Sequence, residues 1–269
     1  MVGPRAEALT RASARVRELA RTYTPPGFAH VPDPDSAVFL CAVDHNTGYE
    51  RPHKVDGEGP YAGSELMWTV ALRSAQREPG LLTAARLRQA SAEDVARWFQ
   101  IAGETVADPQ RRATLWRELA DGLERDHGGS AARLLAACGG RLVGDLGLIA
   151  LLRPYRAYSD PLAKKAFLFA KIAERRGWLE VGDPESWQVS ADNVLMRLAL
   201  RSGLVAPGPL DEVRPATRAA LKDLAESAGL SAPVLDDLLW ELGRDDPNLL
   251  GREGGDLHEP PRELDSAWY

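Results

Sequence analysis

Asp192 is a residue whose type and position in this sequence could support catalysis. It lies between a polar, non-periodic stretch and a segment with helical periodicity that ends at Gly203, within DPESWQVSADNVLMRLALRSGLV (183–205). An acid at a helix start usually caps orphan backbone N–H groups and meets the positive end of the helix dipole. A carboxylate held there can also stabilise a developing positive charge or orient an attacking water molecule. Taken alone, the segment favours the cap over a catalytic role.

Lys165 belongs to a second segment with unusual composition, DPLAKKAFLFAKIAERRG (160–177). It is followed at i+3 and i+4 by Leu168 and Phe169, so it lies beside the apolar stripe of a predicted helix. Most lysines in such positions extend the ammonium group to solvent along the apolar stem. A desolvated lysine is instead a ready nucleophile or phosphate ligand.

Asp236 and Trp240 lie four residues apart in SAPVLDDLLWELGRD and therefore share one face of a predicted helix. A carboxylate beside an indole can accept a hydrogen bond from the N–H edge of a heterocycle while the indole stacks on its ring. The alternative is a core tryptophan with an acid near the helix start, which this segment alone favours.

Polar and aromatic residues also cluster in DHNTGY, directly after the apolar run FLCAV. Loops that leave a core element and carry such groups are frequent ligand sites, and His45 is a candidate here. A lone histidine is nevertheless more often structural than functional. The candidate ligand residues of this region are His45, Asn46, Tyr49 and Tyr61.

Helices must position these residues, because almost every periodic segment has the 3.6-residue spacing. The only candidate strand is 36–43 (SAVFLCAV), which a buried helix explains equally well, and no glycine loop follows it. We therefore expect an all-α fold, in one domain over residues 1–269 with a polar tail from about residue 245. Helices are predicted over 6–23, 65–74, 91–103, 110–124, 161–176, 192–202, 217–228 and 233–243.

Composition narrows the class of partner. The chain has 269 residues, a net charge of −6 and a pI of about 5.5, which disfavours duplex DNA as a ligand and favours a small molecule. Cys41 and Cys138 are far apart in apolar settings, as expected for free thiols in the cytoplasm. No apolar run is long enough for a membrane span, and the five histidines lack metal-ligand spacing. We expect a cytoplasmic protein with no metal and no cofactor.

Three of these segments resemble the helix-hairpin-helix N-glycosylases, particularly the archaeal 8-oxoguanine glycosylases. ADNVLMRLALRSGLV is similar to their catalytic-aspartate helix, with Asp192 at its start and Arg197 five residues on. KAFLFAKI resembles their lysine helix and puts Lys165 at the lyase-lysine position. LDDLLW is similar to their base-reading helix, with Asp236 and Trp240.

A second group, the queuosine 5′-phosphate N-glycosylases (queuosine salvage proteins), resembles more of the chain, from about residue 36 to the C-terminus. GPYAGSELMWTVALRSA is similar to their Tyr-x-Gly segment, with Tyr61, and the later motifs follow in the same order up to a terminal tyrosine. Where the salvage enzymes have an Asn-Phe-x-Phe-Trp run, this chain has VDHNTGY, so Tyr49 becomes the candidate for stacking on the base. The glycine-containing hairpin of the DNA enzymes is missing from LLRPYRAYSDPLAKK.

The resemblance implies a two-lobed helical glycosylase-like fold with the active site in the cleft between the lobes. It implies an N-glycosylase that releases a queuine-like 7-deazaguanine base from a nucleoside 5′-phosphate. Asp192 would then be catalytic, and Lys165 would bind the phosphate or form a Schiff base. Two alternatives stay open, a DNA repair N-glycosylase/AP lyase acting on 8-oxoguanine and a non-catalytic nucleobase-binding module. We expect a monomer that binds a nucleoside or nucleotide.

Overall fold

The computed structural model of the protein describes residues 4–254 and Trp268, and it is mostly helical. Helices account for 57% of the described residues and strands for 4%, which confirms the predicted all-α class. The helices of the described part are α1 (Pro4–Ala20), α2 (Pro34–Val43), α3 (Gly63–Arg77), α4 (Ala84–Leu87), α5 (Ala92–Trp98), α6 (Pro109–His127), α7 (Ala131–Ala137), α8 (Leu148–Leu152), α9 (Lys164–Arg175), α10 (Asn193–Arg201), α11 (Leu210–Ala228) and α12 (Ala232–Asp245).

The described chain forms two compact units. One consists of residues 4–27 and 184–254, and the other of Phe28–Asp183 with Trp268. The chain therefore begins in the first unit, forms the second, and then returns. The predicted polar tail falls partly within the first unit, and its residues 255–267, like the terminal Tyr269, lie outside the described residues.

No helix of the described residues is both long and apolar enough to cross a membrane.

The first unit is held together by α10, which packs on both α11 and α12, while α1 packs on α11. Leu195 and Leu198 on α10 are fully buried in a core with Leu221, Leu238 and Leu239. Burying one such side chain contributes about 1.5–3 kcal/mol. The apolar stripe of α10 therefore fixes the position of its N-terminus, where Asp192 lies.

Gly243 allows α12 to approach α10 closely. A Cβ atom at this position would lie 2.5 Å from Leu198 Cδ1, well inside contact distance. We expect Gly243→Ala to destabilise the protein by about 1–3 kcal/mol through overpacking, despite alanine's higher helix propensity. Thermal unfolding should show a melting temperature lower by roughly 2–4 °C per kcal/mol.

Gly27→Ala is the matched control, since a Cβ atom there meets nothing within 4 Å. Its melting temperature should stay near that of the wild type. An unchanged melting temperature in Gly243→Ala would mean that α10 and α12 do not depend on this close approach.

The centre of the second unit is α2, whose residues 36–43 are all buried. The predicted ambiguity between strand and helix resolves as helix. Pro34 occupies the first turn, and the Asp33 side chain caps it by accepting from the Ser36 N–H at 2.7 Å. The helix packs against α6, α7 and α9, so it is apolar all round and shows no amphipathic period.

The sequence predicts no helix or strand over residues 51–60, but a β-hairpin forms there. Strands β1 (His53–Val55) and β2 (Glu58–Tyr61) pair antiparallel. Asp56 and Gly57 connect them with φ of 51° and 89°, as a type I′ turn requires. The Asp-Gly dipeptide was the available signal, but the strands are too short and too polar to show an alternating pattern.

The eight predicted helices all overlap observed ones, but α9 and α11 begin three and seven residues from the predicted starts, and α5 ends at Trp98 rather than at 103. α9 begins at Lys164 rather than at 161, and the Asp160 carboxylate accepts from the backbone N–H groups of Leu162 and Lys164. α11 begins at Leu210 rather than at 217, because Pro215 lies inside this helix instead of preceding it. The short helices α4, α7 and α8 were not predicted.

Candidate active-site residues

Asp192 is the N-cap residue of α10, as its position predicts. Its Oδ1 accepts a hydrogen bond from the Leu195 N–H at 2.9 Å, and the residue is 8% exposed. The cap fixes the carboxylate at the positive end of the helix dipole. A cap and a catalytic role are compatible, because the backbone bond orients the carboxylate without removing its charge.

Asp236 is also buried, one turn into α12, and it contacts the segment that leads to Asp192. Its Oδ1 accepts from the backbone N–H of Ser190 at 2.7 Å. This bond ties α12 to the chain two residues before the α10 cap. The first unit therefore places Asp236, a predicted site residue, against the backbone that leads into the Asp192 cap.

Trp240 and Arg197 lie on the same pair of helices. Trp240 is partly buried against the core of the first unit, and the Arg244 guanidinium lies 5.2 Å from the centre of its ring. The Arg197 side chain donates to the Gly243 carbonyl at 3.2 Å and so connects α10 to α12. In this structure Arg197 serves the packing of the two helices, and its binding of substrate stays a prediction.

Sequence reasoning missed Arg214, which is buried near Asp192. Its Nε donates to the carbonyl of Ala191, the residue before the cap, at 3.3 Å. Residue 214 was not recognised as helical because the predicted helix began at residue 217. Arg214 belongs to α11, so this bond fastens the cap segment to another helix of the same unit.

Lys165 of the second unit is completely buried, contrary to the expectation that such lysines extend to solvent. Its Nζ donates to the Ala42 carbonyl at 2.6 Å and lies 3.1 Å from His45 Nδ1. Burial lowers the pKa of Lys165 well below its usual value, and the nearby Lys164 acts in the same direction. The amine is thus held in an environment that favours its neutral, nucleophilic form.

His45 follows α2 directly and is 4% exposed. Burial, and then the charges of Lys165 and Arg112, hold the pKa of His45 far below its ordinary value, so the ring is neutral. The structure therefore brings together two predicted site residues, Lys165 and His45. Asn46 is exposed, and its backbone lies in the left-handed region with φ of 30°.

Arg112 and Asp44 hold the backbone of the segment that follows α2, and the sequence predicted neither residue as part of the site. The buried Arg112 guanidinium donates to the carbonyls of Ala107, His45 and Asn46. Burial lowers the pKa of Arg112 to about 10, so it keeps its charge at neutral pH. A signal existed in QRRATLWREL, because residue 112 shares a helical face with two core residues three and four positions on.

The Asp44 carboxylate accepts from Ser64 Oγ at 2.6 Å and from Trp68 Nε1 at 3.2 Å. These bonds tie the residue after α2 to α3 and explain how a buried carboxylate is accommodated. Asp44 thus fixes the backbone immediately before His45.

Tyr49 and Tyr61 pack in one small apolar cluster with Val55, Leu66 and Val70. The Tyr49 hydroxyl donates to the Phe99 carbonyl at 2.7 Å, and burial raises the pKa of this phenol. The structure brings the two predicted tyrosines together and fixes the Tyr49 ring. Stacking of Tyr49 on a base stays a prediction.

We expect Arg112→Lys to lower the free energy of unfolding by roughly 2–4 kcal/mol, because one ammonium group cannot replace the hydrogen bonds of a guanidinium to three buried carbonyls. Urea denaturation would measure the loss. Arg111→Lys is the matched control, since Arg111 is more exposed and pairs with Asp108 on the same helix turn. We expect a change of about 0.5 kcal/mol or less there. Equal losses in both variants would contradict the role given to Arg112.

No model of a known protein family matches the chain, and a search of curated proteins finds no matching sequence. Within the residues that the structure describes, no group of three or more His, Cys, Asp or Glu side chains has the arrangement of a metal site. The side chains of interest are thus two carboxylates in one unit and a lysine–histidine pair in the other.

Proposed function

We propose that the protein is an N-glycosylase that hydrolyses a modified nucleoside 5′-phosphate and releases a queuine-like 7-deazaguanine base. The observation that carries the proposal is the complete burial of Lys165 against His45 and the Ala42 carbonyl. A buried lysine costs stability, and such groups are found where function requires them. The ordered motifs supply the reaction class, because they resemble those of the salvage glycosylases.

The first step of the proposed mechanism is heterolysis of the N-glycosidic bond. The bond's electron pair leaves with the base, and positive charge develops on the sugar at C1′. The Asp192 carboxylate stabilises this charge and orients a water molecule, whose oxygen forms the new bond to C1′. One proton of the water is transferred to the departing base, and the products are the free base and ribose 5-phosphate. The cap bond to Leu195 holds Asp192 in place for this step.

Asp236 and Trp240 recognise the departing base in this proposal. The Asp236 carboxylate accepts from the N–H edge of the base while the Trp240 indole stacks on its ring. Both side chains project from one face of α12, and the bond from the Ser190 N–H limits the rotation of Asp236. Arg197 lies on α10, which packs on α12, and it contributes to substrate binding.

Lys165 binds the 5′-phosphate, and the loop residues His45, Asn46 and Tyr49 complete the substrate site together with Tyr61. We also propose that the chain has the two-lobed helical glycosylase fold, with the active site in the cleft between the lobes, as the resembling families do. The substrate is a small nucleotide, and the enzyme acts as a cytoplasmic monomer without a cofactor.

A DNA repair glycosylase with lyase activity is the second candidate, and the lowered pKa of Lys165 is the observation that supports it. Burial lowers the pKa of this lysine, and a neutral amine can attack C1′ and form a Schiff base after loss of the damaged base. Such an intermediate would be trapped by borohydride on an abasic duplex. The acidic net charge of −6 is the main argument against a duplex substrate.

A panel of substrates tests these candidates directly. The purified protein would be incubated with queuosine 5′-phosphate, queuosine and a duplex that carries 8-oxoguanine, and free base would be measured by chromatography. Release of queuine from the 5′-phosphate supports the salvage reaction. Cleavage of the duplex with borohydride trapping moves the protein to DNA repair. Binding of base or nucleoside without release from any substrate identifies a non-catalytic binding module.

A further inference from the structure

The tautomer of His45 follows from its contacts. Its Nδ1 lies 3.1 Å from Lys165 Nζ, and a lysine nitrogen in either charge state can donate to it. The ring is neutral, so only one of its nitrogens carries a proton. With Nδ1 assigned as the acceptor of a hydrogen bond from Lys165, the proton lies on Nε2.

The Nε2 atom of His45 is buried and has no hydrogen-bond partner among the residues that the structure describes. Buried polar groups in folded proteins are nearly always paired, because an unpaired donor loses about 1–3 kcal/mol. The residue is also held firmly, since Arg112 donates to its carbonyl and Lys165 contacts its ring. A fixed, buried donor without a protein acceptor is suited to bind an acceptor atom of a ligand.

The charges around His45 indicate the kind of acceptor. The groups that depress its pKa, after burial, are Lys165, Arg112, Lys164 and Arg111. The nearby acid, Asp44, is engaged by the side chains of α3. A neutral donor in a cationic environment favours an anionic oxygen over a neutral one.

We infer that His45 and Lys165 form a phosphate-binding element, in which the Nε2–H of His45 donates to a phosphate oxygen. The inference rests on the proposed function in one respect, that the phosphate is the 5′-phosphate of the substrate. His45 then determines specificity for the nucleotide over the nucleoside. It also positions Lys165, because its Nδ1 fixes the direction of the amine.

Nitrogen NMR of protein labelled with 15N-histidine tests the inference without turnover. We expect one histidine with a protonated Nε2 and an unprotonated Nδ1, and an Nε2–H signal that shifts on addition of inorganic phosphate or of queuosine 5′-phosphate. Unphosphorylated queuosine should leave the signal in place. A signal that no phosphate compound moves would mean that a trapped water satisfies Nε2, and the inference would be overturned.

Two variants separate the roles of the ring nitrogens. In His45→Asn the shorter amide can still accept from Lys165 but does not reach the Nε2 position, so binding of the 5′-phosphate should weaken about ten- to hundred-fold. In His45→Gln the amide N–H can reach toward the Nε2 position, and affinity should partly return. His127→Asn is the control and should bind normally. Equal weakening for nucleotide and nucleoside in His45→Asn would reduce His45 to a structural residue and overturn the inference.

The two proposals fail separately. Phosphate-dependent shifts without base release from any substrate would reject the glycosylase function and retain the phosphate site. Base release by the wild type with an unshifted Nε2–H signal would retain the glycosylase function and reject the phosphate site.

Discussion

Asp192→Asn is expected to lower the rate of base release by about 10²–10⁴-fold while the fold remains intact. Asparagine caps a helix about as well as aspartate, so the bond to the Leu195 N–H survives while the charge is lost. Single-turnover release of queuine from queuosine 5′-phosphate would measure the rate. The free energy of unfolding, measured by thermal unfolding, should differ from that of the wild type by no more than about 0.5 kcal/mol.

Asp33→Asn provides the matched control, because Asp33 caps α2 by the same kind of bond to Ser36. That variant should keep its activity. Asp192→Ala removes charge and cap together, and it should lose activity and about 1 kcal/mol of stability. Full activity in Asp192→Asn would show that the cap is the whole role of this residue.

Lys165→Met is expected to change the pH dependence of stability as well as the activity. Burial lowers the pKa of Lys165 in the folded protein below the usual 10.5. Between the folded and the unfolded value, the unfolded chain binds one more proton, so the stability of the wild type rises as the pH increases through this window. Methionine does not titrate, so the stability of the variant relative to the wild type should fall as the pH rises toward 10.5.

Urea denaturation at several pH values measures this difference. The exposed Lys222 gives the control, since Lys222→Met should follow the wild-type profile. For the hydrolase, kcat/KM on the 5′-phosphate should fall about ten- to hundred-fold in Lys165→Met, as expected for the loss of a charged hydrogen bond. Parallel stability profiles for wild type and Lys165→Met would contradict the lowered pKa.

The helical class was predictable because amphipathic periodicity is strong in α6, α10 and α12, and because caps such as Asp192 are local signals. The hairpin was not predicted, since its strands have three and four residues and little apolar alternation. α2 was ambiguous for the opposite reason. A helix that is buried on every side has no polar face, so its composition fits a central strand as well.

The site was predictable where a residue's role depends on its own helix, as with the Asp192 cap and the shared face of Asp236 and Trp240. Burial of Lys165 depended on how α2 and α9 pack, which no local spacing determines. Arg112 was missed for the same reason. Its carbonyl partners at His45 and Asn46 are 67 and 66 positions away in the chain.

The burial of α2 has a consequence for the loop that follows it. The helix is enclosed by α6, α7 and α9, and Arg112 and Asp44 then fix the first residues beyond its end. The rotamer freedom of His45 is therefore lost when the protein folds and not when a ligand binds. Preorganisation of this kind reduces the entropic cost of association and allows a single hydrogen bond to contribute most of its strength to affinity.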